Sequence, residues 1–433
     1  MGGKAFTAGP DPLYTPRMPE PVYAEQKSRC HDILRGYFDV VDSPIDGPDK
    51  EDFGDIDVLV CGPKNTKESR QELFEAVSKS LGAVKVIIVA GQIQLAVPWP
   101  SHRKDEDSAW FIQIDVQVCA DRESMKWMLF KHSHGDIWSM IGSMIRPYGL
   151  TVDDHTLSVR IPEIEEGSRK LSKVPLTSEP DEVLEFLNLS PLEYWKGPFK
   201  SFDAMAEYVT SCPMFWVSPD SESGSTLDVG TDGIESTGGG TGEIEKAGGA
   251  GEAVAGPWSP GNAHLKSNEH RRMNQRPSFR RWVDEFRPQC RRSGRFIQER
   301  TTREKVTDEA LATFGAADRY YDKLHSFRLQ EQKDLIWNGI IKKAIPAPED
   351  KSDHYALQRR GIAIKALRRI IADDSLDYGI SRPADVVDEN GLFVIYKVKE
   401  FIEKIKEDVL EAAEERHRKS YMEKAKKEAP QEE

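Results

Sequence analysis

The chain has 433 residues, 38% of them hydrophobic, and its 73 Asp and Glu against 60 Lys and Arg give a formal net charge of −13. That length suits two or three domains, and the acidic balance argues against a bulk nucleic-acid binder while leaving room for local basic patches. The five cysteines (Cys30, Cys61, Cys119, Cys212, Cys290) are scattered without a Cys-x-x-Cys pair, which argues against a zinc knuckle and a disulfide framework and fits a reducing compartment.

No apolar run reaches the length of a membrane span, and the first residues carry no apolar leader. Phe6 stands where a myristoylation signal needs Ser or Thr. The expectation is an intracellular soluble chain, cytoplasmic or nuclear, without a membrane partner.

Residues 1–20 are rich in Pro and Gly and predict a disordered lead-in. A helix is predicted from Val22 to Phe38, with Tyr23, Cys30, Ile33, Leu34 and Phe38 near one face. A turn-rich loop follows from Asp42 to Gly54. Phe53-Gly54-Asp55-Ile56-Asp57-Val58-Leu59-Val60 then reads as a strand broken by Gly62-Pro63. Thr66 to Leu81 predicts a helix closed by Gly82. Residues 85–89 and 93–97 predict a hairpin about Gly91. Phe111-Ile112-Gln113-Ile114-Asp115-Val116-Gln117-Val118 is the next strand.

Asp is depleted in strands, so Asp-Ile-Asp inside one calls for a reason. Alternation puts Asp55 and Asp57 on one face and Ile56, Val58 and Val60 on the other. It likewise puts Gln113, Asp115 and Gln117 opposite Ile112, Ile114, Val116 and Val118. Side by side, the two strands would gather three carboxylates above an apolar floor. Like charges converge only with cations between them, and hard oxygen ligands suit Mg²⁺ or Mn²⁺. The bland alternative is a strand end with solvated acids. A calcium loop of the EF-hand kind is disfavoured, because Asp46, Asp49, Asp52 and Asp55 recur every third residue and not every second.

This arrangement resembles the DNA polymerase β-like nucleotidyltransferase superfamily, whose pattern is a Gly-Ser turn, Asp-x-Asp on a strand, and a third carboxylate on a later strand. The matching residues lie within 43–118. Asp42-Ser43-Pro44 stands at the Gly-Ser position, so the hydroxyl is kept and the glycine is not; Gly47 is nearby. The resemblance implies that Asp55, Asp57 and Asp115 are the catalytic and metal-ligating residues. It also implies a nucleoside triphosphate (NTP) substrate and transfer of its nucleoside monophosphate to a hydroxyl on RNA, protein or a small molecule. Ser43, Lys50 and Gly54 are the candidate nucleotide contacts; as plain residues they read equally as a surface turn. The missing glycine motivates a second hypothesis, a catalytically inactive binding or interaction protein with the same fold.

Arg122 to Ile145 predicts helix, with Asp136 as a cap and Lys131, His132 and His134 before it as candidate anion contacts. A hairpin is expected over Leu150–Ile161, then helices opening at Ser178-Glu179-Pro180-Asp181 and over Phe199–Cys212. Residues 217–268 are dominated by Gly, Ser, Thr and acids and predict a disordered linker. Beyond it, 269–433 is expected to be an α-helical region. Arg271–Arg303, with Trp282, Phe286 and Phe296 interleaved, is a candidate contact for RNA or other nucleic acid; Trp282 and Phe286 are also at core spacing. The charged helices at the C-terminal end are candidates for a protein partner. The fold expected is α+β: 21–216 a small mixed sheet with helices on one face and an accessory helical layer, then the linker and the helical region.

Overall fold

The Asp-x-Asp strand and the third-carboxylate strand sit at the centre of a five-stranded sheet. The computed structural model describes residues 3–9, 11–89, 91–101, 109–218, 276–298 and 300–428. They fall into two units, Met1–Ala316 and Ala317–Glu433. In the first, strands β2 (Phe38–Asp42), β4 (Ile56–Pro63), β5 (Lys85–Val89), β6 (Gln92–Pro98) and β7 (Phe111–Val118) form a mixed sheet in the order β2-β4-β7-β6-β5. β4 and β7 run parallel with Asp57 opposite Asp115, and every other neighbouring pair is antiparallel.

Two helices, α1 (Glu20–Leu34) and α2 (Arg70–Leu81), cover the apolar face. Val22, Cys30 and Leu34 of α1 and Leu73, Phe74 and Val77 of α2 pack on Ile56, Val58, Ile93, Leu95, Ile114 and Val116. α2 starts late, at Arg70, because Ser69 and Glu72 close a capping box there, and it ends on Gly82 in the left-handed conformation. The opposite face is covered only in part. Helix α3 (Arg122–His132) lays Met125, Met128 and Leu129 over Leu59, Cys61 and Cys119. On the acidic half of that face Asp57 stays exposed while Asp115 and Gln113 are buried.

Four expectations need correction. Phe38 begins strand β2 and does not end a helix. Asp39 and Asp42 obscure a Phe38/Val40 alternation that an edge strand tolerates because its acids reach solvent. The hairpin expected over Leu150–Ile161 is part of a three-stranded sheet, β8 (Leu150–Val152), β9 (Leu157–Arg160) and β10 (Lys173–Thr177), whose third strand was not expected; Pro175 sits on the sheet edge, at a register shift. The lead-in 1–20 is not featureless over its described residues. Phe6 and Met18 are fully buried, Tyr14 bridges to Trp110, and β1 (Met18–Pro19) pairs with β3 (Asp52–Phe53). A few large apolar anchors fix a segment whose Pro and Gly deny it regular structure.

The fourth correction concerns 269–433, which is not one region. Its first helices, Pro277–Arg281 running on through a π-helical turn into Arg287–Arg292, and Arg303–Thr313, belong to the first unit. Trp282 is fully buried, stacked on Phe286 and packed 5.1 Å from Phe215. The linker expected over 217–268 lies outside the described residues except for Val217 and Ser218.

The second unit is helical. Ala317–Asp334 continues through a π-helical stretch, Leu335–Ile341, and is followed by His354–Ala372 and Ile395–Glu428. Ile336, Ile340, Ile364, Leu367, Ile370, Val398, Ile402 and Val409 form its core. Among the described residues no helix is long and apolar enough to cross a membrane.

Candidate functional site

The parallel register of β4 and β7 determines the site. Asp57 and Asp115 are direct cross-strand partners, and Asp55 lies two residues before Asp57 on the same face. Each of the three offers an oxygen within 4.8 Å of the others. Asp115 is buried, Asp55 half-buried, and Asp57 opens to solvent. Loss of hydration, then the charges of Asp55 and Asp115, pushes Asp57 up to about 7, while Lys50 acts in the opposite sense. Because the Asp57 side chain still meets water, its upward direction rests most firmly on the two neighbouring carboxylates. Burial likewise raises Asp115 to about 6, and hydrogen bonds from Gln113 and Gln94 restrain it.

Gln113 was legible only as a polar residue on the Asp115 face. Its amide nitrogen donates to both Asp115 oxygens, at 3.0 and 3.1 Å. Its amide oxygen accepts the Ala5 backbone N–H at 2.9 Å, which orients the donor end toward the carboxylate. The same N-terminal stretch reaches the other carboxylate strand. A Cβ on Gly3 would stand 2.3 Å from the Gly54 carbonyl oxygen, so only glycine permits this approach. Gly54 is buried, and its carbonyl is the group that Gly3 approaches.

Ser43 is buried at the end of β2, with its hydroxyl 2.8 Å from His31 Nε2. Its backbone N–H donates to the Asp42 carboxylate at 2.8 Å. Lys50 pairs with Asp46 at 3.2 Å and lies over the Phe53 ring. Asp46 is a hub that spacing alone did not reveal: it also takes the Tyr23 hydroxyl at 2.9 Å and the Lys27 ammonium at 3.3 Å. Tyr23 stacks on Phe53 at 3.8 Å, and burial followed by the charges of Asp46, Asp57 and Asp55 pushes its phenol upward. Tyr23, Lys27, His31, Lys50, Phe53 and Lys200 line an open cleft of about 690 Å³. Glu20, Asp46 and Asp49 line it too, so a hollow of mixed charge with aromatic walls adjoins the acidic corner.

The remaining candidates are occupied within the fold. His134 is buried at positive φ, gives Nε2 to the Tyr194 carbonyl at 2.8 Å, and is pushed down to about 4 by burial. Its backbone N–H holds the Ile45 carbonyl and so braces the loop that carries Asp46. Lys131 donates to the Val152 carbonyl, and burial lowers it to about 8; burial also lowers His132. Asp136 does not cap its own helix; its carboxylate takes the Phe279 backbone N–H at 3.4 Å.

In the Arg271–Arg303 stretch, residues 271–275 lie outside the described set. Arg295 forms a two-pronged pair with Glu207, Arg303 meets Glu165 at 2.6 Å, and Arg281 pairs with Asp203 and Glu285. Arg300 lies over the rings of Tyr148 and Trp216. These arginines join the returning helices to the first unit. No protein-family model matches the chain, and no curated protein matches it.

Proposed function

We propose that the chain is a divalent-metal-dependent nucleotidyltransferase that moves a nucleoside monophosphate from an NTP to a hydroxyl acceptor. The observation that carries this reading is the cross-strand trio Asp55, Asp57 and Asp115, with oxygens within 4.8 Å, beside a lysine-lined cleft. Two of the three are driven toward protonation by crowding and burial, and a site that resists its own negative charge suits cations. The donor set is all oxygen, which fits Mg²⁺ or Mn²⁺.

Asp55 and Asp57 would hold the ion that faces the triphosphate, and all three would hold a second. Bound Mg²⁺ or Mn²⁺ supplies positive charge against the phosphoryl oxygens. Asp115, ionised at neutral pH, accepts the proton of the attacking hydroxyl. A bond forms from the acceptor oxygen to the α-phosphorus, and the bond to the pyrophosphate oxygen breaks. Lys27, Lys50 and Lys200 offer charge to the departing phosphates, with Lys27 and Lys50 exchanging Asp46 for them. Ser43, already bonded to His31, adds a hydroxyl at the end of β2.

The test is incubation of the full chain with each α-labelled NTP and Mg²⁺ or Mn²⁺, following pyrophosphate release and the fate of the label. Asp55→Ala and Asp57→Ala are expected to lose at least about 1,000-fold, the scale of removing key transition-state electrostatics. Equal turnover in parent and variants refutes catalysis at this corner. Absence of turnover with any NTP, alongside retained Mn²⁺ binding, favours the inactive binding protein.

A further inference from the structure

One stretch of the second unit carries a charge balance opposite to that of the whole chain. Between Leu335 and Ala372 there are eight Lys and Arg against three Asp and Glu, and helix His354–Ala372 contains no acidic residue. Its apolar face is already used. Ile364, Leu367, Ile370 and Ile371 are buried against Ile336, Ile340, Val398 and Ile402. The outward face presents Lys365 and Arg368, one turn apart, with Gly361 a turn before them.

Trp337 organises this face. The Arg368 guanidinium lies 4.9 Å from its ring centroid, and the Lys342 ammonium lies 5.4 Å from it. Two cations are thus held beside one half-buried indole, with Lys343 next to them in sequence and exposed. Other basic residues of the helix are neutralised: Arg359 pairs with Glu414, and Arg369 with Asp377. Among the described residues no carboxylate lies within ion-pair distance of Lys342, Lys343, Lys365 or Arg368.

We propose that this face binds single-stranded nucleic acid. Ammonium groups without a carboxylate partner attract phosphates (Lys342 donates to the Asn338 side-chain oxygen), and a guanidinium held over an indole offers a base a planar cation to stack on. An anionic membrane is the poorer fit, because a helix that lies in a lipid surface buries its apolar face there and this one has spent that face on its own core. An acidic protein would satisfy the charges but makes no use of the guanidinium beside the indole. The proposal does not depend on the carboxylate corner of the first unit.

The experiment is fluorescence anisotropy of the full chain with a labelled 20-nucleotide oligouridylate at several salt concentrations. Polyglutamate and phosphatidylserine vesicles serve as competitors. Lys342→Glu/Lys365→Glu/Arg368→Glu is expected to weaken binding at least 10-fold and to flatten the slope of log affinity against log salt by about two, at roughly 0.7 per lost phosphate contact. Arg368→Lys keeps the charge and removes the plane, so it should weaken binding several-fold without changing that slope. Lys365→Glu alone changes one exposed side chain and should act in the same direction if the triple variant fails to fold. No oligonucleotide binding by the parent at 50 mM salt (about one part in three of physiological ionic strength) overturns the proposal. So does parent-like affinity in the variants, or tighter binding of polyglutamate or vesicles than of the oligonucleotide.

Discussion

Asp115→Asn should make the metal-free protein more stable, and the size of the gain follows from the site. The folded carboxyl titrates at about 6 against an ordinary value of 3.8. Below 3.8 both folded and unfolded states are protonated, and the residue costs nothing. As pH rises through 6, the folded state must carry a buried charge that the unfolded chain carries freely, so stability is lost. Two pH units correspond to about 3 kcal/mol. A direct estimate has the same scale: unit charges 4.8 Å apart repel by about 3 kcal/mol at an effective dielectric of about 20. Asn is nearly isosteric and its one remaining oxygen still accepts from Gln113, so the loss of the second acceptor trims the gain from removing the charge.

The expected gain is about 2–3 kcal/mol at pH 8, or about 5–10 °C in melting temperature, shrinking to almost nothing at pH 4. The assay is thermal melting in chelator at both values, repeated with Mn²⁺. The parent should recover stability with Mn²⁺, because cations offset the repulsion, and the variant should recover much less. If Asp115→Asn melts at or below the parent at pH 8 in chelator, the account of a costly buried charge crowded by Asp55 is wrong.

Two further outcomes test neighbouring parts of the structure. Gln113→Ala removes the amide that restrains Asp115, so the pH midpoint of Mn²⁺ binding should move up by about one unit, the scale of a hydrogen bond to a charged group; an unmoved midpoint, read by titration calorimetry across pH, denies the amide that role. Trp282→Ala should destabilise the first unit by about 3–5 kcal/mol, the cost of emptying a fully buried indole site, read by denaturant unfolding. A loss under about 1 kcal/mol would mean that the returning helix contributes little.

The acidic corner was legible because two strands separate polar from apolar faces by strict alternation, and Asp55, Asp57 and Asp115 fall on the polar side of both. Their parallel pairing was not legible, since it depends on the crossover through α2 and the β5–β6 hairpin. Gln113 could be placed on the right face, but its partner Ala5 lies 108 residues away, and nothing local announces that contact. The Asp46 hub escaped notice for a related reason: Lys27, Lys50 and Tyr23 meet it only after helix and loop are packed. The arginines beyond 276 carried a real signal of anion preference, but the anions they found were Glu165, Asp203, Glu207 and Glu285. The apolar stripes of the second unit were readable at helical spacing, and Leu335, Ile336, Ile340, Ile364 and Leu367 all fall within helices there.

The described residues stop at Ser218 and resume at Arg276, and both sides belong to the first unit. The Val217 N–H is bonded to the Phe296 carbonyl, and Phe215 is wedged against Trp282 and Phe296. A protease cut between these points would sever the backbone without separating the halves, which would stay clasped as a nicked whole. A recombinant fragment stopped at residue 216, by contrast, would strip the aromatic cover from Phe215 and the guanidinium partner from Glu207. The smallest self-sufficient piece bearing the carboxylates therefore has to include the helices through Thr313.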